Sequence, residues 1–265
     1  MNRIAIIGGG NLGQAIAEGL IASGFMQPEQ ITITRRNTAA LEHLQERGIT
    51  VTSDNAAAVA DAQWVLFAVK PFQIQDILNS LLPQLDPKQH AIISVMTGIS
   101  LQDLQDLTDP AYTVFRAMPN TAIAIKESIT CLSAAHASAA QIDFVTHLFN
   151  QLGIAIMIED QLMDAATVLG ACGTAYAMRY IRANIQGGIE IGFDARTAAL
   201  IAAQTVKGAA ELLLQRHTHP EQEIDKVTTP KGCTIAGLNE MEHQGFSSSL
   251  IKGIVTSYKK IKNDM

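Results

Sequence analysis

Three glycines near the start of the chain have the spacing that holds the phosphates of a dinucleotide. The stretch GGGNLG reads G-x-G-x-x-G, with Gly8 at the turn, Gly10 beside the ligand and Gly13 where helix and strand must pack closely. An apolar run precedes the glycines and a helical pattern follows them, which is the context that supports this motif. The N–H groups that open the helix, from Asn11 and Leu12 onward, should face the phosphates with the positive end of the helix dipole.

The residues after the second predicted strand distinguish NADPH from NADH. An NAD site usually carries Asp or Glu there for the ribose hydroxyls, whereas this chain has Thr34, Arg35, Arg36 and Asn37. Two guanidinium groups and a hydroxyl suit a 2′-phosphate, because Arg donates hydrogen bonds in a fixed fork. We therefore expect NADPH, with NADH bound more weakly. The alternative is a solvated pair of surface arginines.

Loops that follow the other predicted strands should lie at the same carboxyl edge of the sheet, where ligands bind in open α/β folds. The three loops are Ala68–Pro71, Met96–Gly98 and Met118–Thr121. Their polar groups are candidates for the nicotinamide end, although Pro71 and Pro119 could simply end strands. Outside the glycine turn and the arginine pair, the expected cofactor contacts are Asn55, Ala68, Val69, Lys70, Pro71, Met118, Pro119 and Asn120.

Alternating strand-like and helix-like segments must position these loops. Short apolar, β-branched runs predict strands in RIAIIG, ITIT, WVLFAV, AIISVM and YTVFRAM, with helices over Asn11–Ser23 and TAALEHLQERG. This order predicts a doubly wound, mostly parallel sheet, a Rossmann domain over residues 1–160. Strand-like runs end there, and residues 161–265 predict an all-α domain with helix breaks at Gly187-Gly188 and Gly192–Asp194.

Small residues dominate the helical half, as in RTAALIAAQTVKGAA. They allow helices to approach closely, either within one packed monomer or between interlocked subunits, and we favour the second because so much alanine is hard to bury in one small bundle. A net charge of −6 argues against non-specific nucleic-acid binding. The three cysteines are far apart and show no metal-ligand spacing, which fits a reducing compartment.

The N-terminus lacks the basic flank and cleavage site of a signal peptide. No window approaches the length of apolar sequence that a membrane span requires. We therefore expect a cytoplasmic protein with no membrane or nucleic-acid partner and no metal.

The whole set of motifs resembles the pyrroline-5-carboxylate reductase family. The resemblance extends over nearly the full length, through GGGNLG, FAVKP, RAMPNT, AAQTVKGAAELL and the stretch T-P-x-G-x-T-I-A-G-L followed by E-x-x-G-F. It implies a Rossmann domain followed by a helical dimerisation domain, and NADPH-linked reduction of the cyclic imine 1-pyrroline-5-carboxylate to L-proline. It also implies an active site that pairs the nucleotide domain of one subunit with the helical domain of its neighbour.

The resemblance gives a role to a second turn, Pro230–Thr234, which leads directly into a predicted helix near the C-terminus. The N–H groups of Gly232, Cys233 and Thr234 can hold the substrate carboxylate. The resemblance places the Thr234 hydroxyl near the ring nitrogen, so Thr234 is the expected catalytic residue. Lys231 either adds charge beside the carboxylate or points to solvent, and the alternative for the whole turn is a helix cap.

Several residues depart from the family pattern. Lys231 and Cys233 replace small residues in the turn, residues 170–176 replace S-G-S-G-P-A-Y, Arg182 replaces an acidic residue, and Ala122 follows RAMPNT in place of Pro. Two alternatives to a proline-forming reductase therefore stay open. One is a non-catalytic NADPH-binding paralogue, and the other is a reductase of a different small imine or oxo acid.

Overall fold

The computed structural model describes residues 2–264 of the chain. An eight-stranded sheet forms the centre of its N-terminal part. The sheet order is β3-β2-β1-β4-β5-β6-β7-β8, and neighbours are parallel except for the antiparallel pair β6 and β7. The strands are β1 Ile4–Ile7, β2 Ile31–Thr34, β3 Thr50–Thr52, β4 Trp64–Phe67, β5 Ala91–Ser94, β6 Thr113–Met118, β7 Ser128–Ala135 and β8 Gly153–Met157.

Helices cover both faces of this sheet and bury two apolar cores. They are α1 Asn11–Ala22, α2 Glu42–Gln45, α3 Asn55–Val59, α4 Ile74–Leu81, α5 Leu101–Leu107, α6 Ala139–Asn150 and α7 Met163–Ala166. Residues of α1 and α6, such as Leu20 and Leu148, pack in one core, and residues of α3 to α5, such as Leu78 and Leu104, pack in the other. The predicted doubly wound Rossmann fold is confirmed, and the strand order reverses between β1 and β4, where such folds bind ligands.

A capping box begins α5. Ser100 Oγ accepts from the Asp103 N–H at 3.0 Å, while the Ser100 hydroxyl and N–H donate to Asp103 Oδ2 at 2.7 and 2.8 Å. These bonds stabilise the ionised carboxylate and therefore lower the pKa of Asp103. The bond from the Ser100 side chain has the larger effect, and the bond from the Ser100 backbone N–H has the smaller one.

A buried cation ties β6 to the segment that follows β8. Arg116 is 4% exposed and places its guanidinium 3.2 Å from Asp160 Oδ1 and 3.5 Å from Asp164 Oδ1. Ser133 Oγ on β7 donates to the same Asp160 oxygen at 2.8 Å, and Lys262 lies 3.3 Å from Asp164 Oδ2. Two carboxylates thus compensate the charge of one desolvated guanidinium, and their bonds connect β6 and β7 to the segment that follows β8.

Three strands and one helix differ from the sequence-based expectation. β3, β7 and β8 were not predicted, and the single helix expected over TAALEHLQERG is a 3₁₀ turn at Thr38–Leu41 followed by the short α2. The interior of β7 includes small polar side chains, among them the buried Thr130 and Ser133, which break the apolar pattern of a central strand.

A second compact unit, Gly173–Lys260, is helical. It contains α8 Gly173–Glu190, α9 Ala195–Arg216, α10 Pro220–Val227, α11 Cys233–His243 and most of α12 Phe246–Asp264, and a π-helix over Thr167–Cys172 precedes it. The expected break at Gly187-Gly188 is wrong, because α8 continues through both glycines. A Cβ on Gly188 would lie 3.1 Å from Ala198 Cβ, so this glycine allows α8 and α9 to approach closely. The break at Gly192–Asp194 is present.

One helix, Ala195–Arg216, is long and apolar enough to cross a membrane by length and composition, contrary to the sequence-based expectation. This is weak evidence for a span, since a helix from the core of a helical bundle passes the same test.

Candidate active site

The glycine turn between β1 and α1 adopts the geometry that the motif predicts. Gly8 has a φ of 115°, and a Cβ there would lie 2.5 Å from the Ala68 carbonyl oxygen. A Cβ on Gly13 would lie 2.2 Å from the Gly8 carbonyl oxygen, so helix α1 packs directly on the turn. Side chains at either position would push the helix away from the strand.

Gly10 differs from its neighbours because it faces open space. It is exposed, it is the N-cap residue of α1, and a Cβ there would have no atom within 4 Å. The cradle beside Gly10 is therefore free for a ligand, and the first N–H groups of α1 point into it without partners within the helix. A pyrophosphate fits this arrangement of donors and dipole.

A cavity of about 990 Å³ lies above the turn and collects most of the predicted cofactor residues. Those that line it are Gly8, Gly10, Asn11, Leu12, Thr34, Arg35, Arg36, Asn55, Ala68, Val69, Lys70 and Pro71, with Met96 and Thr97 from the loop after β5. Sequence reasoning missed Ser53, Gln73 and Ile77, which also line it. Ser53 follows β3, so recognition of that strand would have placed Ser53 at the carboxyl edge with the others.

Four predicted cofactor residues do not line this cavity. Gly13 is buried beneath the turn, and Met118 is buried, with its sulfur accepting from the Thr97 hydroxyl at 3.7 Å. Pro119 follows Met118 and is also buried. Asn120 uses its side chain within the protein: its Oδ1 accepts from the Ala122 N–H at 3.0 Å and its Nδ2 donates to the Gly170 carbonyl at 3.3 Å.

The charges around the cavity favour an anionic ligand. Arg35, Arg36 and Lys70 line it, and no Asp or Glu does so among the described residues. Thr34 is buried, Arg35 is half-buried with its Nη1 donating to the Gly9 carbonyl at 3.0 Å, and Arg36 is exposed. The residues present therefore fit a dinucleotide that carries phosphates at more than one point.

The second predicted turn lies in the helical unit. The Gly232 N–H donates to the Thr229 carbonyl at 2.9 Å, which closes a β-turn over Thr229–Gly232. Lys231 occupies the third position with a φ of 59°, in the left-handed region that glycine adopts more easily. A Cβ on Gly232 would lie 2.5 Å from Thr229 Oγ1, so Gly232 must remain a glycine for this turn to close.

Helix α11 begins directly after this turn, with Gly232 as its N-cap residue. Cys233, Thr234 and Lys231 are all exposed. The expectation that Gly232 donates to a substrate carboxylate needs correction, because its N–H already closes the β-turn. The N–H groups of Cys233 and Thr234, in the first turn of α11, are the donors available to an anion.

No group of three or more Asp, Glu, His or Cys side chains that could hold a metal ion occurs within the described part of the chain. The three cysteines, Cys131, Cys172 and Cys233, are free thiols. Burial raises the pKa of the Cys131 thiol, which makes it a poor nucleophile at neutral pH.

Family models match both the helical part of the chain and the N-terminal part that contains the glycine turn. A family model described as pyrroline-5-carboxylate reductase dimerisation matches residues 160–264. A second model, described as NADP oxidoreductase coenzyme F420-dependent, matches residues 3–98.

Relatives and a solved structure match over nearly the whole chain. Pyrroline-5-carboxylate reductase 2 of Dictyostelium discoideum is 45% identical over 97% of this chain and 91% of its own length. Pyrroline-5-carboxylate reductase 1 of the same organism is 47% identical over 98% of this chain, which spans 49% of that relative. The structure of a pyrroline-5-carboxylate reductase from Coxiella burnetii has a TM-score of 0.93 at 28% identity and covers 99% of this chain and 98% of its own.

Proposed function

The chain belongs to the pyrroline-5-carboxylate reductase family, and we propose that it reduces 1-pyrroline-5-carboxylate to L-proline with NADPH. The observation that carries this proposal is the match to a reductase of that name at 45% identity, over 97% of this chain and 91% of the relative. The glycine turn and its cationic cavity supply a dinucleotide site, and the turn before α11 supplies a place for a small carboxylate.

NADPH, when bound, supplies the hydride for the imine carbon. The protein holds its pyrophosphate at the turn, with N–H groups from the start of α1 and open space beside Gly10. Thr34, Arg35 and Arg36 line the side of the cavity that would hold the adenosine end, where a guanidinium would pair with the 2′-phosphate. Asn55 and the loops after β4 and β5 complete the cavity. Contacts from Met118, Pro119 and Asn120 to the nicotinamide remain a prediction.

The turn before α11 holds the substrate. The N–H groups of Cys233 and Thr234 and the dipole of an 11-residue helix bind its carboxylate. The Thr234 hydroxyl orients the ring nitrogen, and through water it relays a solvent proton to the amine that hydride addition forms. A protonated imine is already a strong electrophile, so the protein accelerates the reaction mainly by aligning the imine with the nicotinamide and by excluding water. The Cys233 thiol has no part in the reaction.

Self-association belongs to the same proposal, through a helical domain over residues 161–265. Within Gly173–Lys260, Ala198 and Ala202 are the hydrophobic residues that reach burial, at 4% and 8% exposure. Many large apolar side chains of this unit are exposed: Met178, Ile189, Ile191, Leu200, Ile201, Leu212, Leu214, Leu250, Ile251 and Val255. A second copy of the chain would remove them from water. The free thiols of all three cysteines support a cytoplasmic location.

One observation favours a second function, the reduction of a different small imine or oxo acid. Two residues that depart from the family pattern, Ala171 and Cys172, are the last two residues of the π-helix over Thr167–Cys172, and π-helical turns often occur at functional sites. A changed pocket there would alter which ring is accepted. The non-catalytic paralogue is disfavoured, since the glycine turn, both arginines and Thr234 are all present.

The test is the oxidation of NADPH by the purified full-length protein, followed by absorbance, with pyrroline-5-carboxylate as substrate and NADH in parallel. Proline formed in step with NADPH loss would support the proposal. Thr234→Ala serves as the matched control, because it retains the cofactor site. If NADPH binds without turnover, a panel of other cyclic imines and oxo acids follows. Turnover of one of them would identify a different reductase, and none would indicate the non-catalytic paralogue.

A further inference from the structure

Both polar groups of Gly9 are held from three directions within the glycine turn. Its N–H donates to the Thr34 carbonyl at 2.6 Å. Its carbonyl oxygen accepts two hydrogen bonds, from Gln14 Nε2 at 2.9 Å and from Arg35 Nη1 at 3.0 Å. Gly9 is buried, and a Cβ there would lie 2.7 Å from Leu41 Cδ1, so the peptide has little room to rotate.

The orientation of the Gly9 carbonyl determines the orientation of the next N–H. The carbonyl of Gly9 and the N–H of Gly10 belong to one planar trans peptide, in which the two bonds point in opposite directions. With the oxygen held by Gln14 and Arg35, the Gly10 N–H must point to the other side of the peptide. Gly10 is exposed and lines the cavity. The two side chains therefore preset an N–H donor for a phosphate.

The two arginines consequently have different surroundings. Arg35 is half-buried and one end of its guanidinium already donates to the turn, whereas Arg36 is exposed at the cavity wall. A hydrogen bond from a guanidinium is stronger than one from a neutral amide, so Arg35 contributes more than Gln14 to holding this carbonyl.

We propose that Arg35 is a positioning residue for the glycine turn, assisted by Gln14, and that Arg36 is the specificity-determining ligand of the 2′-phosphate. This inference rests on the dinucleotide site of the proposed function and assigns a different role to each arginine of that site. Arg35 supports the pyrophosphate, which NADPH and NADH share. Arg36 supports the phosphate that only NADPH carries.

The test is an equilibrium titration of the full-length protein with NADPH and with NADH, read by nucleotide fluorescence, together with thermal melting of each variant. Arg35→Ala should weaken both dinucleotides about tenfold and leave their affinity ratio unchanged. Gln14→Ala should weaken both by a smaller, equal factor. Arg36→Ala should weaken NADPH about tenfold or more and change NADH less than about twofold. Arg47→Ala, which removes an exposed guanidinium outside the cavity, is the charge control.

A loss of NADPH affinity in Arg35→Ala with unchanged NADH affinity would overturn the inference, and so would unchanged affinity for both. If Arg35→Ala does not fold, Gln14→Ala decides: an equal loss for both dinucleotides supports the inference, and a selective or absent loss rejects it. These titrations need no imine. A protein that binds both dinucleotides as expected but does not reduce pyrroline-5-carboxylate would therefore refute the proposed function alone.

Discussion

Replacement of Gly10 by alanine separates the folding role of the glycine turn from its binding role. Gly10 has φ −79° and ψ −173°, which alanine adopts freely, and its Cβ would meet no atom within 4 Å. The free energy of unfolding should therefore stay within about 0.5 kcal/mol of the original value or rise by up to about 1 kcal/mol. The new methyl group occupies the space through which a phosphate oxygen approaches the backbone. Loss of one charge-assisted hydrogen bond, about 1.5–3 kcal/mol, weakens NADPH binding roughly 10- to 150-fold.

Gly13→Ala is the matched contrast. Its Cβ would lie 2.2 Å from the Gly8 carbonyl oxygen, so α1 must move by roughly an ångström and both stability and binding should fall. Urea unfolding gives the first quantity and fluorescence titration with NADPH the second. Unchanged NADPH affinity in Gly10→Ala would refute the reasoning that the pyrophosphate approaches this glycine, and a large loss of stability would refute the account of its open surroundings.

Three further predictions concern catalysis, the buried ion cluster and acid stability. Thr234→Ala should lower kcat for pyrroline-5-carboxylate far more than it lowers NADPH affinity; steady-state kinetics beside cofactor titration measures both, and equal losses would contradict a role at the imine. Asp160→Asn removes one partner of the buried Arg116 and should lower the free energy of unfolding by about 2 kcal/mol, measured in urea, with no loss contradicting the cluster's role. Because the folded-state pKa of Asp103 is lowered, its ionised form adds stability above about pH 4 that is lost as the pH falls through the folded pKa. Ser100→Ala should therefore flatten the pH dependence of unfolding in that acid range, and an unchanged slope would exclude the Ser100 bonds as its cause.

Five of the eight strands and the first turn could be predicted from sequence because their signals are local. Apolar, β-branched runs mark β1, β2, β4, β5 and β6, and a glycine spacing marks the turn. β7 was not predicted because small polar residues, among them the buried Thr130 and Ser133, interrupt its hydrophobic pattern. At Gly188, close contact between two helices outweighs the low helix propensity of glycine, and no local rule includes that contact.

The same distinction holds for the site. The motif identified which residues surround the dinucleotide, but it could not show that Arg35 reaches back 26 positions to the Gly9 carbonyl. Nor could it show that the Gly232 N–H donates to the Thr229 carbonyl. Both hydrogen bonds depend on the path of the folded chain and not on residue type.

The sparse burial within Gly173–Lys260 has a consequence for handling the protein. A unit in which only Ala198 and Ala202 of its hydrophobic residues are buried draws little stability from its own interior. If the association of copies supplies the remainder, mass action links folding to protein concentration. The melting temperature should then rise with concentration, and specific activity should decay after dilution into a dilute assay even with saturating substrate and cofactor.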